Sequence, residues 1–316
     1  MRTNYSIKSK LYILIVLICF LILLWKYDSL NNRLDLLMKI SNPSCYKYKQ
    51  ECINLFKKLR YPNQSLIIRP PLRMPPKDLL NEFTQNGDMP ITKEWYFNEV
   101  YSDSNSLNTS DIQKIIKIKD FSNWLDKVKK HEKLNYGNTE LQKIMNKYSN
   151  RIQNKSILIM GTQLPWIEAI SYELLASKIT TLDYTRKQYE SSNRLEWFHV
   201  NDYLDDLILN NIIELFDNSA SFSSIEHSGL GRYGDPLSPN GDLDAVQQVH
   251  CLLKQNGLFF LGVPTSKSDK GYIEFNAHRV YGSKRLDKLF VGWNVIDKLN
   301  SHDFHSIYVL EKKSIC

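Results

Sequence analysis

The sequence predicts an α/β protein: a doubly wound, mainly parallel, seven-stranded sheet preceded by a helical and proline-rich N-terminal region. Three observations predict it. Beyond Lys155, short apolar runs alternate with stretches of helical period. The spacers between runs can hold crossover helices, which parallel neighbours require and hairpins do not. The composition, 42% hydrophobic and 24% charged over 316 residues, supports one substantial domain with extensions.

The elements follow in order. Ser156 to Met160 reads as a buried strand ending at Gly161. Trp166 to Ala176 is a helix, with Pro165 suited to its first turn. Lys178 to Asp183 is the second strand, and Leu195 to Val200 the third, ending near Asn201 and Asp202. A helix over Leu204 to Leu215 leads to a fourth strand, Ala220 to Ile225. A helix over Leu243 to Leu253 stops at Gly257, before a fifth strand from Leu258 to Val263. Val291 to Ile296 and Ser306 to Leu310 complete the seven.

Ahead of this domain (151–316), an extension covers 61–150 and a polar stem covers 26–60. Prolines between Pro62 and Pro76 exclude regular helix and imply an extended strap. Thr109-Ser110-Asp111 offers an N-cap for a helix carrying Ile112, Ile115, Ile116 and Ile118. Further helices are expected over Phe121 to Leu134 and Leu141 to Tyr148.

Leu11 to Trp25 carries no charge, glycine or proline. At 1.5 Å per residue it spans about 22 Å, and flanking Lys10 and Lys26 can snorkel to extend that reach. No small-residue cleavage site follows it, so an uncleaved transmembrane signal anchor is expected. Residues 1–10 form the cytosolic tail of a single-pass type II protein whose body is lumenal. The short span suits the ER or Golgi. Sequons at Asn63, Asn108 and Asn154 agree with that topology and would make it a glycoprotein. An oxidising lumen permits a local Cys45–Cys52 disulfide, with Cys251 a buried thiol. Five cysteines suggest no metal site, and a net charge of +7 without a dense basic run argues against nucleic acid.

The sheet's ligand is read from its turns. An acid, Asp183, follows Gly161 by twenty-two residues, a spacing that serves ribose binding in several cofactor classes. The turn Gly161-Thr162-Gln163-Leu164-Pro165 has one glycine and lacks a phosphate cradle, which favours S-adenosylmethionine over a dinucleotide. A literal G-x-G-x-x-G does occur, at 229–234, but it follows the fourth strand. Asp235-Pro236-Leu237-Ser238-Pro239 then separates it from the next helix, so these glycines shape a loop.

Pro165-Trp166-Ile167-Glu168, Thr181-Leu182-Asp183-Tyr184, the loop from Glu226 to Pro236, and Gly262-Val263-Pro264 together resemble the DUF268 family. That nematode-rich group is related to class I S-adenosylmethionine-dependent methyltransferases, and the resemblance covers about residues 61 to 312. It implies a methyltransferase-like fold and that cofactor, with the acceptor unspecified. Carried onto this chain, Gly161 lies under the methionine part, Asp183 holds the ribose, and Asp202 approaches the adenine amine or caps a helix. Glu226 and His227 sit where the transferred methyl points, with His227 as general base or structural histidine. Arg232 and Asp235 pair to fix the loop, Tyr233 stacks on a ring, and Asn276 and His278 line the acceptor side. The expected function is O-methylation of a secretory-pathway acceptor such as a glycan. The alternatives are a catalytically silent binding module, or a glycosyltransferase using Asp242-Leu243-Asp244 as a D-x-D. The latter pair reads equally as helix capping.

Overall fold

The computed structural model describes residues 42–60, 72–92, 114–133, 138–233, 235–300 and 304–314, plus Lys26, Asp35 and Lys39. Two units are present: residues 1–51 with 315–316, and residues 52–314. The larger unit contains the sheet.

In chain order the elements are α1 (Pro43–Leu59), α2 (Leu80–Thr84), β1 (Ile91–Thr92), β2 (Lys114–Ile116), α3 (Ile118–Lys129), α4 (Asn138–Lys147) and α5 (Ser149–Ile152). Then come β3 (Ser156–Met160), α6 (Trp166–Glu173), β4 (Lys178–Asp183), β5 (Lys187–Tyr189), β6 (Leu195–His199) and α7 (Val200–Asn210). β7 (Phe216–Phe222) runs into a 3₁₀ turn, Ile225–His227, and α8 (Gly241–Leu252) into β8 (Leu253–Pro264). β9 (Tyr272–Glu274), β10 (His278–Val280), α9 (Ser283–Leu289), β11 (Trp293–Asn300) and β12 (His305–Lys312) close the chain.

Seven strands form one sheet in the order β11-β12-β8-β7-β3-β4-β6. β8, β7, β3, β4 and β6 pair in parallel, and β12 alone is reversed, antiparallel to both its neighbours. This is the doubly wound, mainly parallel α/β arrangement that the methyltransferase resemblance implies. Both faces are covered, as a parallel sheet needs. On one face Ile157, Ile159, Phe260, Ile307 and Val309 join α3, α4 and α6 in a single core cluster. The alternate residues Leu158, Phe259 and Leu261 are fully buried on the other. β1 extends the β9–β10 hairpin and β2 pairs with β5, so both short strands of the N-terminal extension join later parts of the chain.

Among the described residues no helix is long and apolar enough to cross a membrane. The anchor expected at 11–25 lies outside the described residues. The membrane, signal-anchor and type II ER or Golgi assignments are therefore withdrawn. The physical weakness was length: about 22 Å of apolar helix does not fill a ~30 Å hydrocarbon core. The glycoprotein expectation loses its basis with them. Asn63 and Asn108 are outside the described residues, and Asn154 holds an exposed turn at φ 57°.

The cysteine expectation is also corrected. Cys52 bonds to Cys251, across 199 residues, and fastens α1 to α8. Cys251 is thus a half-cystine, and Cys45 is disulfide-bonded elsewhere. Of the helix expected from Ile112, residues 114–116 are instead strand β2, with exposed Ile115 opposite Gln188 on β5, and Ile118 opens α3. β-branched residues at adjacent positions favour the strand.

Candidate functional site

A cavity of about 690 Å³ opens along the carboxyl edge of the sheet. Ligands of open α/β sheets bind at this edge. It runs from Tyr184, Thr185 and Val200 at the β4–β6 end, over Gly161, to Glu226, His227 and Pro264 at the β7–β8 end. Because β12 is reversed, its first residue, His305, pairs with the last of β8, Pro264, and so joins this edge.

Gly161 follows β3 with φ +67°, where glycine has no steric penalty. A Cβ there would fall 1.9 Å from Ser224 Oγ. The absent side chain therefore makes room for a hydroxyl of the protein itself. Asp183 ends β4. Its Oδ2 accepts from the Thr162 amide at 3.0 Å, and its Oδ1 from the Thr185 amide and hydroxyl at 2.7 and 2.6 Å. Desolvation raises its pKa, against those hydrogen bonds. Of roughly four lone-pair directions on a carboxylate, one then remains on Oδ2.

The loop after the 3₁₀ turn is folded around Asp235. Its Oδ2 accepts from the amides of Gly229 (2.7 Å) and Gly231 (3.1 Å), and its Oδ1 from Tyr233 (3.1 Å). Gly229 and Gly231 both have positive φ, which lets the amides converge on one carboxylate. A Cβ on Gly229 would meet Ser238 O at 2.2 Å, and one on Gly241 would meet Gly229 at 2.7 Å, so the loop lies directly on the start of α8. Leu230 and Leu237 anchor it in a satellite core with Phe83, Met89 and Phe275. The loop-fixing task assigned to an Arg232–Asp235 pair falls to these amides. Arg232 donates to Ala277 O at 3.2 Å and lies 5.1 Å over the Tyr233 ring.

Glu226 and His227 are both buried and both line the cavity. His227 Nδ1 meets the Ala277 carbonyl, which only accepts, so Nδ1 carries the proton and Nε2 the lone pair. Burial, then the Arg232 charge, drives its pKa well below the usual imidazole value, and the ring is neutral at pH 7. Nε2 lies 3.7 Å from Glu226 Oε1. Desolvation raises Glu226 to about 7; its Oε1 accepts from Ser223, and its Oε2 has no partner among the described residues. His278 lines the cavity edge-on to His227, 6.2 Å between ring centroids. Burial, with Arg232 and His305, takes its pKa to about 4. Its Nε2 lies 3.3 Å from Glu274 Oε2, and with the ring neutral at pH 7 this is not an ion pair.

The other predicted positions lie elsewhere. Asp202 is absent from the cavity wall. It forms a bidentate pair with Arg186 in the first turn of α7, whose N-cap is His199. Asn276 is buried at φ +66° in the β9–β10 turn, a conformation asparagine tolerates. Asp242 is fully buried, held by Arg285, Tyr281 and Arg279, and Asp244 pairs with Lys58 at 2.6 Å. The D-x-D acids are thus engaged with the protein's own donors. Among the described residues no group of three or more His, Cys, Asp or Glu is placed to hold a metal ion. Sequence reading missed Ser223, Ser224, Lys187 and His305, all on the cavity wall.

No curated protein matches the chain. Solved structures of similar shape include a Burkholderia thailandensis 1,6-didemethyltoxoflavin-N1-methyltransferase with bound S-adenosylhomocysteine, at 12% identity and TM-score 0.46, covering 71% of this chain and 94% of that one. A putative S-adenosylmethionine-dependent methyltransferase from Listeria monocytogenes is 10% identical with TM-score 0.39, covering 55% and 98%. A putative hemolysin from Lactococcus lactis is 14% identical with TM-score 0.41, covering 57% and 90%. Likenesses this distant leave the functional reading to the chain's own geometry. The family model described as "Caenorhabditis protein of unknown function, DUF268" matches residues 154–314, from β3 through the loop of Asp235 to the end of β12, and the chain belongs to that family.

Proposed function

We propose that the domain binds S-adenosylmethionine and transfers a methyl group to an acceptor hydroxyl, with His227 as general base and Glu226 beside it. The observation that carries this reading is the cavity on the carboxyl edge of the seven-stranded sheet, with Asp183 towards one end and a neutral, cavity-lining His227 at the other. The residues fit the adenosyl group at two points. Asp183 keeps a lone pair for one ribose hydroxyl, and Leu182 and Val200 give apolar walls beside it. The ligand has no phosphate, so a single-glycine turn suffices. Asp202 is not carried forward as an adenine contact, because it does not line the cavity. When bound, the cofactor supplies an electrophilic methyl on a sulfonium. His227 Nε2 would accept the acceptor's proton, while the Nδ1–H bond to Ala277 holds the ring in place. Arg232 and Tyr233 would bound the acceptor side. The glycan acceptor drew its support from the withdrawn topology, so the acceptor class here is simply a hydroxyl.

A second reading, a module that binds the ligand without turnover, is favoured by Ser224 over Gly161 and by the three internal bonds to Asp183. Calorimetry of the full chain with S-adenosylmethionine and S-adenosylhomocysteine tests both. Binding of both ligands is expected, weakened about 10-fold or more in Asp183→Asn. No heat from either ligand at millimolar concentration would sink the cofactor assignment. Binding without methyl transfer to any hydroxyl acceptor selects the second reading.

A further inference from the structure

Two residues outside the predicted set, one bonded to Glu226 and the other to the first, extend the site away from His227. Ser223, just past β7, donates its hydroxyl to Glu226 Oε1 at 2.7 Å. The same oxygen lies 3.7 Å from His227 Nε2. On the far side of Ser223, His305 Nε2 lies 3.4 Å from Oγ. A serine has one hydroxyl proton. With that proton on Glu226, Ser223 accepts from His305, which must then carry its proton on Nε2. A continuous line of polar groups therefore runs His227–Glu226–Ser223–His305, drawn from the 3₁₀ turn, the end of β7 and the start of β12. All four residues line the cavity.

We propose that Ser223 and His305 are positioning residues that hold Glu226 Oε1 against His227, so that Glu226 receives the proton His227 takes from the acceptor; this rests on the methyl-transfer reading. The acceptor O–H breaks and an N–H forms at Nε2. That proton then passes to Oε1, His227 returns to its neutral form, and no oxidant or reductant is needed. Such a resting place is required because burial and Arg232 strongly disfavour the imidazolium, whereas Glu226 titrates at about 7. The groups facing Glu226 are Arg232 from the loop, Arg279 from β10, Tyr281 beyond it, and His227 of its own turn. From α8, Asp242 faces the same region with its charge balanced by Arg279 and Arg285.

The test is a titration of the Glu226 carboxyl by isotope-edited infrared spectroscopy on the full-length protein without ligand, the signal being assigned with Glu226→Gln. Ser223 has φ +51°, so Ser223→Gly removes the hydroxyl without backbone strain. His305→Phe keeps an aromatic ring on Phe222, 5.1 Å away, but removes the donor. Loss of the Ser223 bond should raise the Glu226 midpoint by about one pH unit. His305→Phe should raise it less, by weakening the serine's bond, and His305→Gln, which keeps a donor, should stay near the parent. An unmoved midpoint in folded Ser223→Gly and His305→Phe overturns the proposal, even if methyl transfer is observed. Shifted midpoints without transfer to any hydroxyl acceptor uphold the line to Glu226 and overturn the methyl-transfer reading alone.

Discussion

At Gly161 the backbone adopts φ +67°, and the space a side chain would fill belongs to Ser224. Alanine there meets two penalties: about 1–2 kcal/mol for the left-handed conformation, and a clash with Oγ at 1.9 Å. Gly161→Ala should therefore cost at least about 2 kcal/mol in urea unfolding, and adding Ser224→Gly should recover the clash component. If the double variant is no more stable than the single, Ser224 does not occupy that space. The glycine was legible in the sequence, because it ends an apolar strand run. Its reason was not, because the partner lies far along the chain, between β7 and the 3₁₀ turn. His227 and Glu226 were likewise legible as a motif at a strand edge. Their protonation was not, since it depends on Arg232, Ala277 and the depth of burial.

Among the elements, β3, β4 and β8 were read from apolar runs, and their cores fall within the observed strands. β7 was placed late because its first half, Phe216-Asp217-Asn218-Ser219, looks like loop. In the structure Asn218, Ser219 and Ser221 are buried and donate to the carbonyls of Arg151, Leu158 and Met160, so a polar strand sits at the centre of the sheet with its donors satisfied. β12 was found, but its reversal was not, and the reversal is what brings His305 to the cavity. The α1–α8 disulfide was equally hidden, since its half-cystines are 199 residues apart. In the chain-entropy model a loop of that length contributes about 5 kcal/mol. Calorimetry of Cys52→Ala with Cys251→Ala should show a large fall in Tm, and reductant, which also opens the Cys45 disulfide, should lower it at least as far. Equal melting temperatures would show that α1 is held by packing alone. A fragment beginning at residue 61 lacks Cys52 together with the buried Ile53 and Phe56, and should melt below the double variant.

At the scale of the whole molecule, buried ionisable groups set opposing slopes of stability against pH. Desolvation raises Glu168 and Glu226 from 4.5 to about 7. Each acid keeps its proton longer when folded, so its contribution to stability is present at low pH and is lost as the pH rises from 4.5 towards 7. His250 and His278 are lowered from 6.5 to about 4 by burial, and His227 further in the same direction. Their contribution is full above 6.5 and is lost as the pH falls through their folded values. At 1.36 kcal/mol per pH unit, each acid and each of the first two histidines amounts to about 3 kcal/mol. The two sets act over overlapping windows with opposite sign and partly offset one another. Glu168→Gln with Glu226→Gln removes the acids while Thr181 and Ser223 keep their acceptors. Urea unfolding of this double variant should then become more favourable to the fold as pH rises. Its stability relative to the parent should increase by about 3 kcal/mol per acid between pH 4.5 and 7. A parent-to-variant difference that stays constant across that range would mean that neither carboxyl is protonated in the fold at neutral pH. Glu226 would then be ionised without the raised proton affinity that burial gives it, and a weaker resting place for the proton of His227.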